Sequence, residues 1–163
     1  TGDPTIQGQI LWIRISNRPD RLDAAEKRSG RSSERIPLLM PDAADKARIF
    51  EVMPTKHGFP CEVTDFSTAV EHCERRHPGQ ISGADIEEIT FRAYRRARWR
   101  RAQAITLEDY RWAIEDFIPF QDRESIEAQE RAALALCSSR QFLPEGKRDL
   151  LEVRESGSGS GAA

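Results

Sequence analysis

The residues of this sequence best equipped for chemistry on an anion are one asparagine and two arginines. Asn17 ends an apolar stretch in "ISNRPD", and Arg28 and Arg31 lie either side of Gly30 in "KRSGR". An amide side chain both donates and accepts hydrogen bonds, so it can touch an oxyanion and a water at once. A guanidinium stays charged and forks onto phosphate oxygens, and two of them at i and i+3 can share a helix face. Gly30 lets the chain turn so that both project outward. Plainer readings stand beside these. Asn17 can close an Asx-type turn before Pro19, and the arginines can be solvated cations at a helix C-terminus. Neither a catalytic acid, a nucleophile nor a metal cluster is visible beside them.

Two other groups invite a chemical reading. Cys61, His72, Cys73 and His77 are metal-ligating types, and Cys73 and His77 stand at i, i+4, but the spacing matches no closed zinc pattern. Thiols buried on helix faces explain the cysteines better, so no metal is expected. "FRAYRRARWRR" interleaves six arginines with Tyr94 and Trp99, a composition that can bind phosphates and stack bases. Ile86, Ile89, Ala93 and Ala97 nevertheless mark one buried stripe on that helix, and the arginines mostly fill its remaining faces. A solvated or inter-subunit face is the reading adopted, and nucleic acid is not expected as a partner.

The elements that must position these groups change character near residue 41. Residues 9–15 read as a strand covered on both faces, and Pro19 breaks it. A short helix over 21–28 follows, with Asp20 as its cap, and then "RIPLLM" alternates Ile36, Leu38 and Met40 as a second, edge strand. Beyond Pro41 the period is helical. "PDAADKARIFEVM" places Ala43, Ala47, Phe50, Val52 and Met53 at helical spacing. "CEVTDFSTAVEHCERRH" is stopped by Pro78 and Gly79, and "SGADIEEITFRAYRRARWRRA" opens on a Ser82 cap. "TLEDYRWAIEDF" opens on Thr106, and "ESIEAQERAALALC" gives a fifth helix. The Gly/Ser-rich end is low-complexity.

Composition narrows the class. A 38% hydrophobic share can build a core, a 32% charged share suits a helix-rich protein, and a net charge of −2 argues against binding polyanions through overall charge. No apolar run approaches the ~18 residues of a membrane span, and no export signal is present, so no membrane partner is expected. Three cysteines read as reduced thiols, which with the missing signal implies a cytoplasmic location.

Taken together, the two halves resemble the AAA+ ATPases, and within them the core AAA clade. "SNRPDRLDAAEKRSGR" is similar to that clade's second region of homology, and "ISGADIEEITFRAYRRA" to the helix carrying its sensor-2 region. "ITLEDYRWAIEDF" resembles the next helix of the lid, so the resemblance covers residues 9–118. Ser16 stands where threonine is usual, and "RSSER" replaces the common Arg-Phe-Asp. The resemblance implies that Asn17 is the sensor-1 residue, contacting a γ-phosphate and the attacking water. It implies that Arg28 and Arg31 are arginine fingers acting on the neighbouring subunit's nucleotide. Gly83 and Ala84 match positions whose backbone packs against adenine and ribose. The phosphate loop G-x-x-x-x-G-K-[ST] and a strand ending in Asp-Glu are not found in the sequence.

The expected fold is therefore mainly α, with a partial α/β portion (the end of a P-loop NTPase sheet) followed by an all-helical lid bundle. Residues 1–41 are assigned to the end of the ATPase core, 42–118 to the lid, 119–151 to a helical extension and 152–163 to a disordered tail. The expected function is that of the C-terminal portion of an AAA ATPase, coupling ATP hydrolysis to remodelling of a protein substrate whose identity the sequence does not give. ATP and Mg2+ are the implied cofactors, held mainly by the half not in this sequence, and the implied partners are neighbouring subunits of a homo-oligomeric ring, a hexamer. The alternative is a non-catalytic helical binding module, with nucleic acid bound through the arginine-rich helix as one form of it, behind a degenerate AAA relic.

Overall fold

A computed structural model describes residues 13–16, 34–120 and 122–144. Among the described residues lie five α-helices: α1 Ala43–His57, α2 Ser67–Arg76, α3 Gly83–Trp99, α4 Leu107–Asp116 and α5 Arg123–Leu136, with a 3-10 turn at Arg140–Phe142. The chain divides into two compact units, one of residues 40–126 and one drawn from 1–39 and 127–163.

In the first unit α1 packs on α2 and α3, and α3 and α2 pack in turn on α4, so the four helices close a circuit. Each helix start has a local cause. The Asp42 carboxylate accepts from the Asp45 N–H at 2.8 Å, capping α1. Ser82 with Asp85, and Thr106 with Asp109, form reciprocal capping boxes at α3 and α4, each worth about 1 kcal/mol over an uncapped end. Gly58 stops α1 in the left-handed region at φ 65, which a glycine adopts without steric cost.

The core between the helices is aromatic on one side. Phe50 and Phe66 stack with ring centroids 5.8 Å apart, and Tyr110 meets both edge-on at 5.5 and 5.4 Å. Ile86, Ile89, Ala93 and Ala97 are buried along α3, the stripe its sequence marks. Lys46 is also buried; its ammonium pairs with Glu74, joining α1 to α2. Residues 60–62 and 105 meet through an isolated parallel bridge, with the Ile105 N–H donating to Pro60 O at 2.8 Å and the Glu62 N–H to Ile105 O at 3.0 Å.

In the second unit, Arg35 reaches the end of α5. Its Nε donates to Leu136 O at 2.7 Å and its backbone N–H to Ser138 Oγ at 2.9 Å.

Several expectations need correction. Residues 13–16 and 34–42 carry no regular secondary structure, so the strand over 36–40 is not formed and the α/β portion is not shown. Pro37 and Pro41 remove two ladder donors, and no partner strand lies among the described residues. Ile36 and Leu38 are exposed accordingly. The remainder of the 9–15 strand and the helix over 21–28 lie outside the described residues. Residues 61–66 are not helical, because the bridge to Ile105 holds their start extended, and α2 begins at Ser67. α1 continues past Met53 to His57 and carries Pro54 inside its last turn. It buries Lys46, Phe50 and Pro54, while Val52 is exposed.

Candidate functional site

Of the residues to which the sequence assigns chemistry, Gly83 and Ala84 are placed as the first two residues of α3. Asn17, Arg28 and Arg31 lie outside the described residues. The start of α3 is built by Ser82 and Asp85. Ser82 donates to Asp85 Oδ2 from its backbone N–H at 2.8 Å and from its hydroxyl at 2.6 Å, and the Asp85 N–H returns to Ser82 Oγ at 3.3 Å. Ile81, just before the cap, is fully buried and anchors the turn, while Ala84 faces solvent.

That arrangement decides which ligand chemistry suits this helix end. A bare N-terminus attracts anions. Here the Asp85 carboxylate already complements the dipole, and an approaching phosphate meets its negative charge. Gly83 is half-buried and Ala84 exposed, and neither carries a side chain large enough to cover the backbone of this first turn. A Cβ added to Gly83 comes no nearer to any other atom than 3.7 Å, at Ile49 Cδ1, so the fold itself does not demand a glycine here.

The arginine-rich face of α3 is largely committed to α4 and to its own acids. Arg92 contacts Glu88 at 3.0 Å and Asp116 at 2.9 Å and lies over the Phe117 ring. Arg95 reaches Glu88 at 3.1 Å. Arg96 donates to Glu108 O at 2.7 Å and covers the Trp112 ring. Arg100 forks onto Asp109. The Arg92 hydrogen bond is the main reason that Glu88 titrates below the ordinary carboxylate range. Glu87, on the same helix, accepts from Lys56 Nζ at 2.8 Å and contacts His57 Nε2 at 2.7 Å, and these contacts, Lys56 first, lower its pKa.

The cysteine–histidine group is dispersed among other duties. Cys73 is buried, and that burial pushes its thiol up to about 12, which makes it a poor nucleophile and ligand. His77 Nε2 is 3.0 Å from Ile114 O, and His72 Nε2 is 2.9 Å from Glu115. Cys61 is half-buried with its thiol toward Val63 O. Among the described residues no group of three His, Cys, Asp or Glu could hold a metal ion, and no helix is long and apolar enough to cross a membrane.

Sequence reasoning missed the Lys46–Glu74 and Arg100–Asp109 pairs. Asp109 was accessible as the fourth residue of the Thr106 capping box, but its distant arginine partner was not.

No protein-family model matches the chain. No solved structure matches it either. Curated relatives do. The ATP-dependent zinc metalloprotease FtsH of Neorickettsia risticii is 31% identical over 125 residues, 77% of this chain and 19% of the relative. FtsH 1 of Sphaerobacter thermophilus is 34% identical over 125 residues, 77% of this chain and 18% of the relative. The "Probable 26S proteasome regulatory subunit 4" of Caenorhabditis elegans is 29% identical over 114 residues, 69% of this chain and 24% of the relative. The chain thus spans about a fifth of the length of the relatives it matches. These homologues, FtsH and the proteasome subunit, are AAA+ ATPases, the class that the two sequence motifs resemble.

Proposed function

We propose that this chain is the C-terminal part of an AAA ATPase module. Residues 1–41 supply sensor 1 and the arginine fingers, 42–118 are the helical lid, and 119–151 form a helical extension. The observation that carries the reading is similarity to AAA+ ATPases over 77% of the chain, running through a closed four-helix unit. The alternative, a non-catalytic helical binding module that binds nucleic acid through the arginine-rich helix, is disfavoured because Arg92, Arg95 and Arg96 of α3 and Arg100 at its C-cap already contact acids or a carbonyl of α3 and α4.

In this reading Asn17 holds the attacking water against the γ-phosphate, and positioning of that kind is most of what a protein contributes to phosphoryl transfer. Arg28 and Arg31 extend to the nucleotide of the neighbouring subunit, where fixed charge offsets the negative charge that develops during transfer. The backbone at Gly83 and Ala84 lies against adenine and ribose, the neutral surface that Asp85 leaves favoured. ATP and Mg2+ are held mainly by the phosphate-loop half of the module; no residue of this chain is assigned to the metal. The zinc in the relatives' name is not carried over, because the described residues offer no fitting donor set. The module works as a homo-oligomeric ring, a hexamer, and couples hydrolysis to remodelling a protein. The protease and proteasome names of the relatives suit that use.

Mixed rings test it. In the assembled ATPase, Arg28→Ala lowers turnover by roughly 10³-fold, the scale of removing an arginine finger, with nucleotide affinity nearly intact. A phosphate-loop-dead subunit with intact arginines then restores hydrolysis at the Arg28→Ala subunit's own site. If mixing restores nothing while mixed rings form, the arginines do not act in trans. The chain alone turns over no ATP above a no-protein control.

A further inference from the structure

Two surface features of the 40–126 unit have no part in the nucleotide chemistry. At the C-terminal end of α3, Trp99 is 89% exposed. Arg98 and Arg101 beside it are exposed too, and neither has an ion pair among the described residues, unlike Arg92, Arg95 and Arg100 of the same run. Arg101 sits in the left-handed region at φ 58, a conformation that costs a non-glycine residue about 1 kcal/mol or more. At the C-terminal end of α4 the chain turns extended at Phe117, and Ile118 and Phe120 are 84% and 98% exposed. They stand two residues apart and are both open to solvent. Asp122 and Glu124 follow, both exposed. Asp122 caps α5 at the Ser125 N–H, 2.8 Å away, and Glu124 has no ion pair among the described residues. Arg123 between them is the one cation of this patch.

These patches sit at opposite ends of one helix pair. Arg92 meets Asp116 while Arg100 meets Asp109, so α3 and α4 run antiparallel. The ten residues of α4 span roughly 15 Å at about 1.5 Å per residue. One molecule cannot bring its cation-flanked tryptophan onto its own acid-flanked apolar patch, but two copies can.

We propose that Trp99 of one copy docks against Ile118 and Phe120 of the next, with Arg98 and Arg101 facing Asp122 and Glu124. The contact is head-to-tail, and such heterologous contacts close into rings when the rotation permits. It rests on the ring reading above and gives the helical units of adjacent subunits a direct contact. Tryptophan and arginine are the side chains that most often dominate protein interfaces. Two unpaired arginines, by contrast, neutralise only about two phosphates, too few for firm binding of a nucleic acid.

Sedimentation of the chain across a concentration series tests the contact. Reversible self-association that weakens with added salt is expected. Trp99→Ala and Phe120→Ala each weaken it by about tenfold or more, as loss of an interface anchor does. Arg98→Glu combined with Arg101→Glu abolishes it, as does Glu124→Arg, and mixing those two proteins restores association. A wild-type chain that stays monomeric at about 1 mM overturns the proposal, as does association unchanged in all these variants with helix content intact. Quenching of Trp99 by a single-stranded oligonucleotide, with self-association indifferent to Trp99→Ala, overturns it in favour of nucleic acid. Restored turnover in mixed rings reads the ring itself, so failure here and failure there are told apart.

Discussion

Arg100 grips Asp109 with two arms of its guanidinium, Nε to Oδ1 at 3.0 Å and Nη2 to Oδ2 at 2.6 Å, while the Asp109 side chain is wholly buried. The same carboxylate accepts from the Thr106 N–H at 3.0 Å and hydroxyl at 2.8 Å. One side chain therefore caps α4 and ties it to the end of α3.

Removing the charge strands its partners. Asp109→Asn keeps the shape but breaks the fork, and is expected to destabilise the unit by about 2–4 kcal/mol in urea unfolding. Arg100→Met costs less, because Thr106 still satisfies the carboxylate and Arg96 lies 3.8 Å away. The double variant should show a coupling of at least about 1 kcal/mol. A change below about 0.5 kcal/mol in Asp109→Asn refutes this account.

Acid should release the same joint. Burial works to raise the pKa of Asp109, but the Arg100 fork and the Thr106 hydrogen bonds outweigh it, and the net shift is downward. A carboxyl held below its unfolded value adds stability above that value, about 3.9, and loses it as pH falls through the folded value. Urea midpoints should therefore be flat from about pH 7 to 5 as far as Asp109 is concerned, then drop below about pH 4. In Asp109→Asn the drop should be shallower. An identical slope in the two proteins would remove Asp109 from the explanation.

Tyr110 offers a test of opposite sign. Its ring meets Phe50 and Phe66 edge-on, and its buried hydroxyl lies near the Cys61 thiol and the Thr90 hydroxyl without a well-aligned hydrogen bond to either. The nearby Thr90 hydroxyl donates to Ile86 O at 2.8 Å. An unsatisfied buried hydroxyl opposes folding. Tyr110→Phe is therefore expected to leave stability within about 1 kcal/mol of wild type or to raise it, while Tyr110→Ala loses about 3–5 kcal/mol. A loss above about 1.5 kcal/mol in Tyr110→Phe would mean that the hydroxyl is bonded after all.

What the sequence made legible follows from the range of the forces involved. The Ser82 and Thr106 starts and the Ile86–Ile89–Ala93–Ala97 stripe depend on neighbours a turn or less away, and each is found where the pattern places it. The Cys61–Ile105 bridge and the Lys46–Glu74 pair join residues far apart in the chain, which periodicity cannot record. A helix over 61–66 was accordingly expected where the bridge forbids one. Ile36 and Leu38 alternate as a strand does, but alternation supplies no partner, and Pro37 and Pro41 leave few donors to recruit one. At the candidate site, the Gly83–Ala84 helix start was readable from its serine cap. Where the Asp85 carboxylate points was not, since only the folded turn sets that.

Gly83 separates a structural role from a functional one. It takes the first helical position of α3 without a left-handed φ, and a Cβ there meets only Ile49 Cδ1, at the ordinary contact distance of 3.7 Å. Alanine favours a helix over glycine by up to about 1 kcal/mol. Gly83→Ala should therefore fold as well as wild type or slightly better, measured by thermal unfolding of this chain. If backbone at Gly83 lies against adenine in the assembled ATPase, the added methyl group holds the base away. Nucleotide affinity should then fall by about tenfold, or about 1.4 kcal/mol, and Gly83→Val should lower it further. Fluorescent-nucleotide titration reads both. Stability unchanged with affinity lost assigns the glycine to the ligand. Affinity unchanged in Gly83→Val, with the helix content of wild type, removes the start of α3 from the nucleotide site.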